Sequence, residues 1–252
     1  MKERYLNRLA LLFLLMGACG DSNYFTNTAG IHDTQIAQAG IEISQNQWDA
    51  AEVRTRAILV DDPNSKGGNG LLVKILLHKA GTSILELIAN SFADSSSGSS
   101  LTLFDVMKNI NGLADEDEAA LFAAIVKLKV SDELSGNDAD KVQKKSLAYA
   151  AIASTASMLK RLVYNADGQF DPITAASNLT PEKVDKVVST LQTAKQSFAD
   201  SGELTKETAV DEALAKVVDP TTGKGNQAKI IEYLATKAGS GSAPDLPSGG
   251  GF

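Results

Sequence analysis

Residues 139–164 read ADKVQKKSLAYAAIASTASMLKRLVY. Val142, Tyr149, Ile152, Ala156, Leu159 and Val163 recur at steps of three, four and seven, the spacing of one helical face. Between them lie Ala148, Ala150, Ala151, Ala153 and Ser154, so small residues occupy several faces at once. A helix that is small on several sides admits close neighbours on several sides, and this stretch is expected to be the central helix of a bundle. Insertion into lipid is disfavoured, because Lys144, Lys145, Lys160 and Arg161 frame a span containing Ser and Thr. Aromatic residues make up only 6% of the chain and prolines number six, which favours helices over sheets. The expected fold class is all-α, a helical hairpin or repeat-like bundle of about eight helices with no substantial sheet.

C-terminal to this stretch, Asn165 to Asp171 reads as a turn. In an EF-hand register Val163 and Thr174 would fall where carboxylates are needed, so a calcium loop is excluded. Thr180-Pro181-Glu182 is a helix start, with a hydroxyl N-cap, proline at the first position and an acid in the first turn. Val184, Val187, Val188, Leu191, Ala194 and Phe198 give that helix one stripe, and Ser201-Gly202 ends it. A further helix is predicted from about Lys206 to Val218, stopped by Asp219-Pro220, and a last one over about Asn226 to Lys237. Residues 240–252 are Gly-, Ser- and Pro-rich and are expected to be a disordered tail.

N-terminal to it, Asp115-Glu116-Asp117-Glu118 is expected to cap a helix, with Asp115 as N-cap, Glu118 three residues on, and an apolar face of Leu121, Phe122, Ile125 and Val126. Leu101, Phe104 and Val106 to Ile110 predict a short helix, and Phe92 to Ser100 a loop at the main internal boundary. Residues 34–92 are thus taken as a helical hairpin region and residues 101–239 as a helical domain continuing the same array or bundle. Leu71 to Ala89 predicts one strongly apolar helix, and Ser65 to Gly70 a Gly-rich connection before it. That connection lacks the lysine and hydroxyl of a phosphate-binding loop.

Thr34 to Asn64 reads as two helices joined at Gln45-Asn46-Gln47. Ala39 lies near the middle of the first, Trp48 opens the second, Ala51 follows three later, and Asp62-Pro63-Asn64 closes the unit. At these positions the stretch resembles a tetratricopeptide repeat, a helix-turn-helix unit of about 34 residues. Glu42 and Thr55 stand where that family places aromatics. A generic αα-hairpin accounts for the same periodicity, and one unit does not make a solenoid. Two later segments echo this region: Asp62-Pro63 with Gly68-Asn69 recurs as Asp219-Pro220 with Gly225-Asn226, and Lys79-Ala80-Gly81 as Lys237-Ala238-Gly239.

The chain opens with Lys2, Arg4 and Arg8, then an apolar run from Leu9 to Ala18 that is far shorter than the roughly 20 residues of a membrane-spanning helix. It ends in Leu15-Met16-Gly17-Ala18-Cys19, whose cysteine is the only one in the sequence. This stretch resembles the lipobox of bacterial lipoproteins, with Met16 at the usual Leu/Val-type position. The resemblance implies that residues 1–18 are a signal peptide, that cleavage precedes Cys19, and that Cys19 carries diacylglycerol and further acylation. Several acyl chains hold a protein on a membrane where one holds marginally. Residues 19–33 would then be the lipidated tether. Gly20 stands where an aspartate would retain an enteric lipoprotein in the inner membrane, so the resemblance implies an outer-membrane anchor facing the periplasm.

Of 24 basic and 31 acidic side chains, Lys2, Arg4, Arg8 and Glu3 fall in the leader, leaving 21 and 30 and a formal charge of −9. That balance argues against nucleic acid as a partner. The two histidines, His32 and His78, stand alone, with no metal-ligand spacing and no nucleophile motif. No enzymatic activity, catalytic residue, cofactor or metal is therefore expected. The expected role is a membrane-anchored helical scaffold binding envelope proteins. The alternative is a periplasm-facing helical ligand binder, such as the accessory of a transporter.

Overall fold

Each regular element among the described residues (33–84, 86–87, 103–130, 138–165 and 169–238 of the computed structural model) is an α-helix. Eight longer helices and two of seven residues occur, with two isolated bridge pairs and no strand among the described residues. The protein is all-α, as its composition and periodicity predict. The chain divides into two units, Met1–Ile75 and Leu76–Phe252.

In the first unit α1 spans Asp33–Ser44, α2 spans Trp48–Asp61, and α3 starts at Lys66 and runs to Lys79 across the unit boundary. Helix α1 ends because Asn46 takes a left-handed conformation at φ 60°. Its N–H donates to Ile43 O and that of Gln47 to Glu42 O, which satisfies the last carbonyls and turns the chain into α2. Ala39 and Ile43 of α1, Ala51 of α2, and Leu71 and Ile75 of α3 form one core, with Ile36 and Trp48 packed against it.

Two sequence expectations in this region are corrected. Ser65–Gly70 is not a loop. Ser65 caps α3 by accepting from the Gly68 N–H at 3.2 Å, and helix begins at Lys66. A Cβ at Gly68 would lie 3.0 Å from Leu59 Cδ2 and 3.2 Å from Ile58 Cγ2, so the glycine lets the first turn of α3 close onto the end of α2. Nor is Leu71–Ala89 one helix. Gly81, at φ 77°, ends α3, with Gly81 N–H donating to His78 O and Thr82 N–H to Leu77 O. Ser83 then caps a new helical turn, its hydroxyl oxygen accepting from the Glu86 N–H and its O–H donating to Glu86 Oε2, both at 3.1 Å.

In the second unit α4 spans Leu103–Asn109, α5 Asp115–Val130, α6 Asp138–Val163, α7 Pro172–Asn178, α8 Pro181–Ser201, α9 Leu204–Val217 and α10 Gln227–Lys237. The long α6 is the hub, in contact with α4, α5, α7 and α8. Every residue from Ser146 to Leu159 is buried, which spans more than three turns and therefore all faces of the helix. Small side chains make this possible, because neighbours seat against Ala148, Ala150, Ala151, Ala153 and Ala156 without excluding one another. Helix α9 packs on α8, and α10 on α9 and α7. The α8 stripe is buried as its spacing predicts, Thr180 caps it through the Lys183 N–H, and Gly202 closes it in the left-handed region.

Helix α5 buries Leu121, Ala124, Ile125 and Leu128, while Val126 and, on α6, Val142 lie at the surface. Helix α7 was not anticipated, although Asp171-Pro172 is a legible start. Asp171 caps it by accepting from the Ile173 N–H, with proline next in line. The echoed Asp-Pro segments each turn the chain between helices: Asp62 accepts from the Asn64 N–H and Asp219 from the Thr221 N–H. The Gly-Asn halves differ. Asn69 lies inside α3, whereas Asn226 caps α10 through the Lys229 N–H. The leader, the tether with Cys19 and His32, the Phe92–Ser100 loop and the tail lie outside the described residues.

Candidate functional site

Most of the charged groups of interest in the described residues join helices to one another. Arg161 on α6 donates to Glu118 Oε2 at 2.6 Å and reaches Asp115 Oδ1 at 2.5 Å, while Lys79 pairs with Asp117 at 2.9 Å. The acidic run at 115–118 is therefore a docking point for cations at a helix N-terminus. Asp115 is not the N-cap that the sequence predicts. The Glu118 N–H donates to Ala114 O, one residue earlier, and the Asp115 carboxylate turns to Arg161. Ser157 completes this seam by accepting from the Leu113 N–H and donating to Asn111 O, both at 3.0 Å.

A second cluster joins α6 to the α8–α9 corner. Glu203 pairs with Lys145 and with Lys206, the latter at 3.0 Å. Lys206 also lies over the Tyr149 ring, which packs edge-on against Phe198 with centroids 5.3 Å apart. Burial pushes Glu203 up, but the two ammonium groups outweigh it and its carboxyl sits below its ordinary value. Burial pushes Lys206 down, and its bonds to Tyr149 and Glu203 outweigh that, leaving it raised. Both groups therefore stay charged near neutral pH.

In the first unit Glu42 and Thr55 occupy the positions where the resembled repeat carries aromatics. Glu42 is buried yet charged, because Arg54 clasps it with Nη2 at 2.6 Å and Nε at 3.0 Å. Those hydrogen bonds hold its carboxyl below the usual value, against the effect of burial. The Thr55 hydroxyl is buried without a hydrogen-bond partner, as is that of Ser154 on α6. The Glu42–Arg54 pair thus ties α1 to α2, a feature of packing that sequence spacing could not show.

Among the described residues of this unit the most exposed large apolar side chains lie on α2, where Val53 is 72% and Val60 79% exposed. Ala50 and Ala57 are exposed on the same face, one turn from each valine. These four side chains form one outward strip along α2.

Among the described residues no three His, Cys, Asp or Glu side chains gather to hold a metal ion. None of their helices is long and apolar enough to cross a membrane. His78 is exposed at the end of α3. No family model matches the sequence, and neither a curated protein nor a solved structure is significantly similar to it.

Proposed function

We propose that the chain is a lipid-anchored helical scaffold of the bacterial envelope, held on the outer membrane through Cys19 and binding other envelope proteins through its helical units. The observation that carries this reading is the coincidence of three features. A basic, ten-residue apolar leader, the small residues Gly17 and Ala18, and the sole cysteine fall together within the first 19 residues. Cys19 and Asp33, where α1 begins, are 14 residues apart. Such a tether reaches at most about 50 Å, so the first unit would work near the bilayer surface.

Two results test the proposal separately. The Cys19→Ser chain should lose labelling by radioactive palmitate and leave the membrane fraction; retention of both sinks the anchor. Crosslinking in the native envelope, followed by affinity capture and mass spectrometry, should recover a reproducible envelope protein. Recovery of this chain with lipid or a small molecule and no protein would favour the ligand-binding role instead.

A further inference from the structure

The outward strip of α2 has the pattern of a coiled-coil seam. Placing Ala50 and Ala57 at a and Val53 and Val60 at d puts Asp49 and Arg56 at g and Arg54 and Asp61 at e. In the same register Trp48 and Thr55 fall at f and Ala51 and Ile58 at b. These are the residues that face inward: Ala51, Thr55 and Ile58 are buried, and Trp48 packs on the hairpin core. The a and d positions are therefore the ones α2 turns away from its own unit.

The flanking charges distinguish two ways of pairing this face with its own copy. In a parallel pair each g residue faces the e residue five positions later on the other helix. Asp49 then meets Arg54 of the second copy and Arg56 meets Asp61, and the two-fold axis repeats both unlike pairs. An antiparallel pair that sets Val53 against Ala57 and Ala50 against Val60 brings Arg54 near Arg54 and Arg56 near Arg56. Like charges there oppose association. Arg54 and Arg56 hold Glu42 and Glu52 within their own unit, yet their side chains remain 38% and 33% exposed at the rim of the strip.

We propose that α2 docks against the α2 of a second copy of this chain, in parallel and in register. The inference rests on the lipid anchor. Four small side chains cannot cover the roughly 800 Å² per partner of a stable interface, so the pair is weak in free solution. Anchoring both copies through short N-terminal tethers in one leaflet raises their local concentration toward the millimolar range.

The test uses the full-length chain in its native membranes, with Val53→Cys and Val60→Cys made singly and Ser44→Cys, exposed on α1, as the reference. After mild oxidation, dimers are read on non-reducing gels and palmitate labelling is read on the same material. Both valine variants should form disulfide dimers at least tenfold more than Ser44→Cys. Asp61→Arg should cut the Val53→Cys dimer severalfold, and Arg56→Asp added to Asp61→Arg should restore it. Labelled protein with valine-variant dimers at the Ser44→Cys level overturns the pairing and leaves the anchor standing. Crosslinking of Val53→Cys only when combined with Ala57→Cys overturns the parallel register. A photo-crosslinker at position 53 that captures a different protein overturns the second copy as occupant. Unlabelled protein overturns the anchor; oxidation of the purified full-length chain at millimolar concentration then decides the pairing, and dimers at the Ser44→Cys level there overturn it too.

Discussion

Gly225→Ala should destabilise the second unit by steric contact alone. A Cβ at position 225 would lie 2.4 Å from Val184 Cγ1, 2.9 Å from Val188 Cγ2 and 3.3 Å from Val184 O. Carbon atoms in contact prefer about 3.5–4.0 Å, so something must move by more than about 1 Å. Neither side yields easily. Val184 and Val188 are buried, and β-branched side chains in a helix have essentially one χ1 rotamer. The segment that carries Gly225 is tied down at both ends, by Asn226 N–H to Val217 O at 2.9 Å and Asp219 N–H to Lys224 O at 2.8 Å. Overpacking of this kind costs about 1–3 kcal/mol. Alanine's smaller unfolded-state entropy returns about 0.4–1 kcal/mol. The net loss is about 1–2 kcal/mol, or a fall in Tm of about 2–8 °C for a unit of this size. Thermal melts followed by circular dichroism read it directly. Gly40→Ala is the contrast. It sits inside α1 with no heavy atom within 4 Å of its Cβ, and should stabilise by about 0.5–1 kcal/mol. Adding Val184→Ala to Gly225→Ala removes the methyl that clashes, so the double variant should lose about 1 kcal/mol less than the sum of the singles. An unchanged or raised Tm for Gly225→Ala, or costs that simply add, would refute the steric argument.

Thr55→Val replaces a buried hydroxyl that has no partner with a methyl of the same shape, and should stabilise the chain by about 1 kcal/mol; a lower urea midpoint would mean the hydroxyl is satisfied in solution. Ser154→Ala tests the same point on α6, where a loss larger than about 1 kcal/mol would show that packing of the small side chain matters more than its polarity. Stability should also fall in acid. Glu42, Asp171, Glu203 and Asp219 all have carboxyls held below their ordinary values of 4.5 for Glu and 3.8 for Asp. Their contribution is present above those values and is lost as pH falls through the lower folded-state ones. At the alkaline end Lys206, raised above 10.5, contributes below that value and loses its contribution as pH rises through its folded-state pKa. Urea midpoints measured from pH 7 to pH 3 should decline below about pH 4.5, and a flat profile there would sink the assignment of these carboxylates.

Local signals in this chain were legible because they act over three or four residues. The α8 start at Thr180-Pro181, its buried stripe and its end at Gly202 follow from capping and helical period alone. The small residues around α6 likewise announce a helix with neighbours on every side. The Asp171-Pro172 start of α7 carries the same kind of signal. By contrast, Ser65–Gly70 has the composition of a loop, and only the tertiary structure shows Ile58 and Leu59 closing on Gly68 in the first turn of a helix. Whether Asp115 capped its helix or reached Arg161 depended on a guanidinium 46 residues away. The partners of Glu42 and Glu203 were hidden for the same reason, since an ion pair between helices is set by which faces the core brings together. The sequence by itself determined the all-α class and most helix boundaries, because these rest on neighbours in the chain. Only the tertiary structure decided which polar groups are buried and paired, and which strip of α2 is left facing outward, because those depend on packing between residues far apart in the chain.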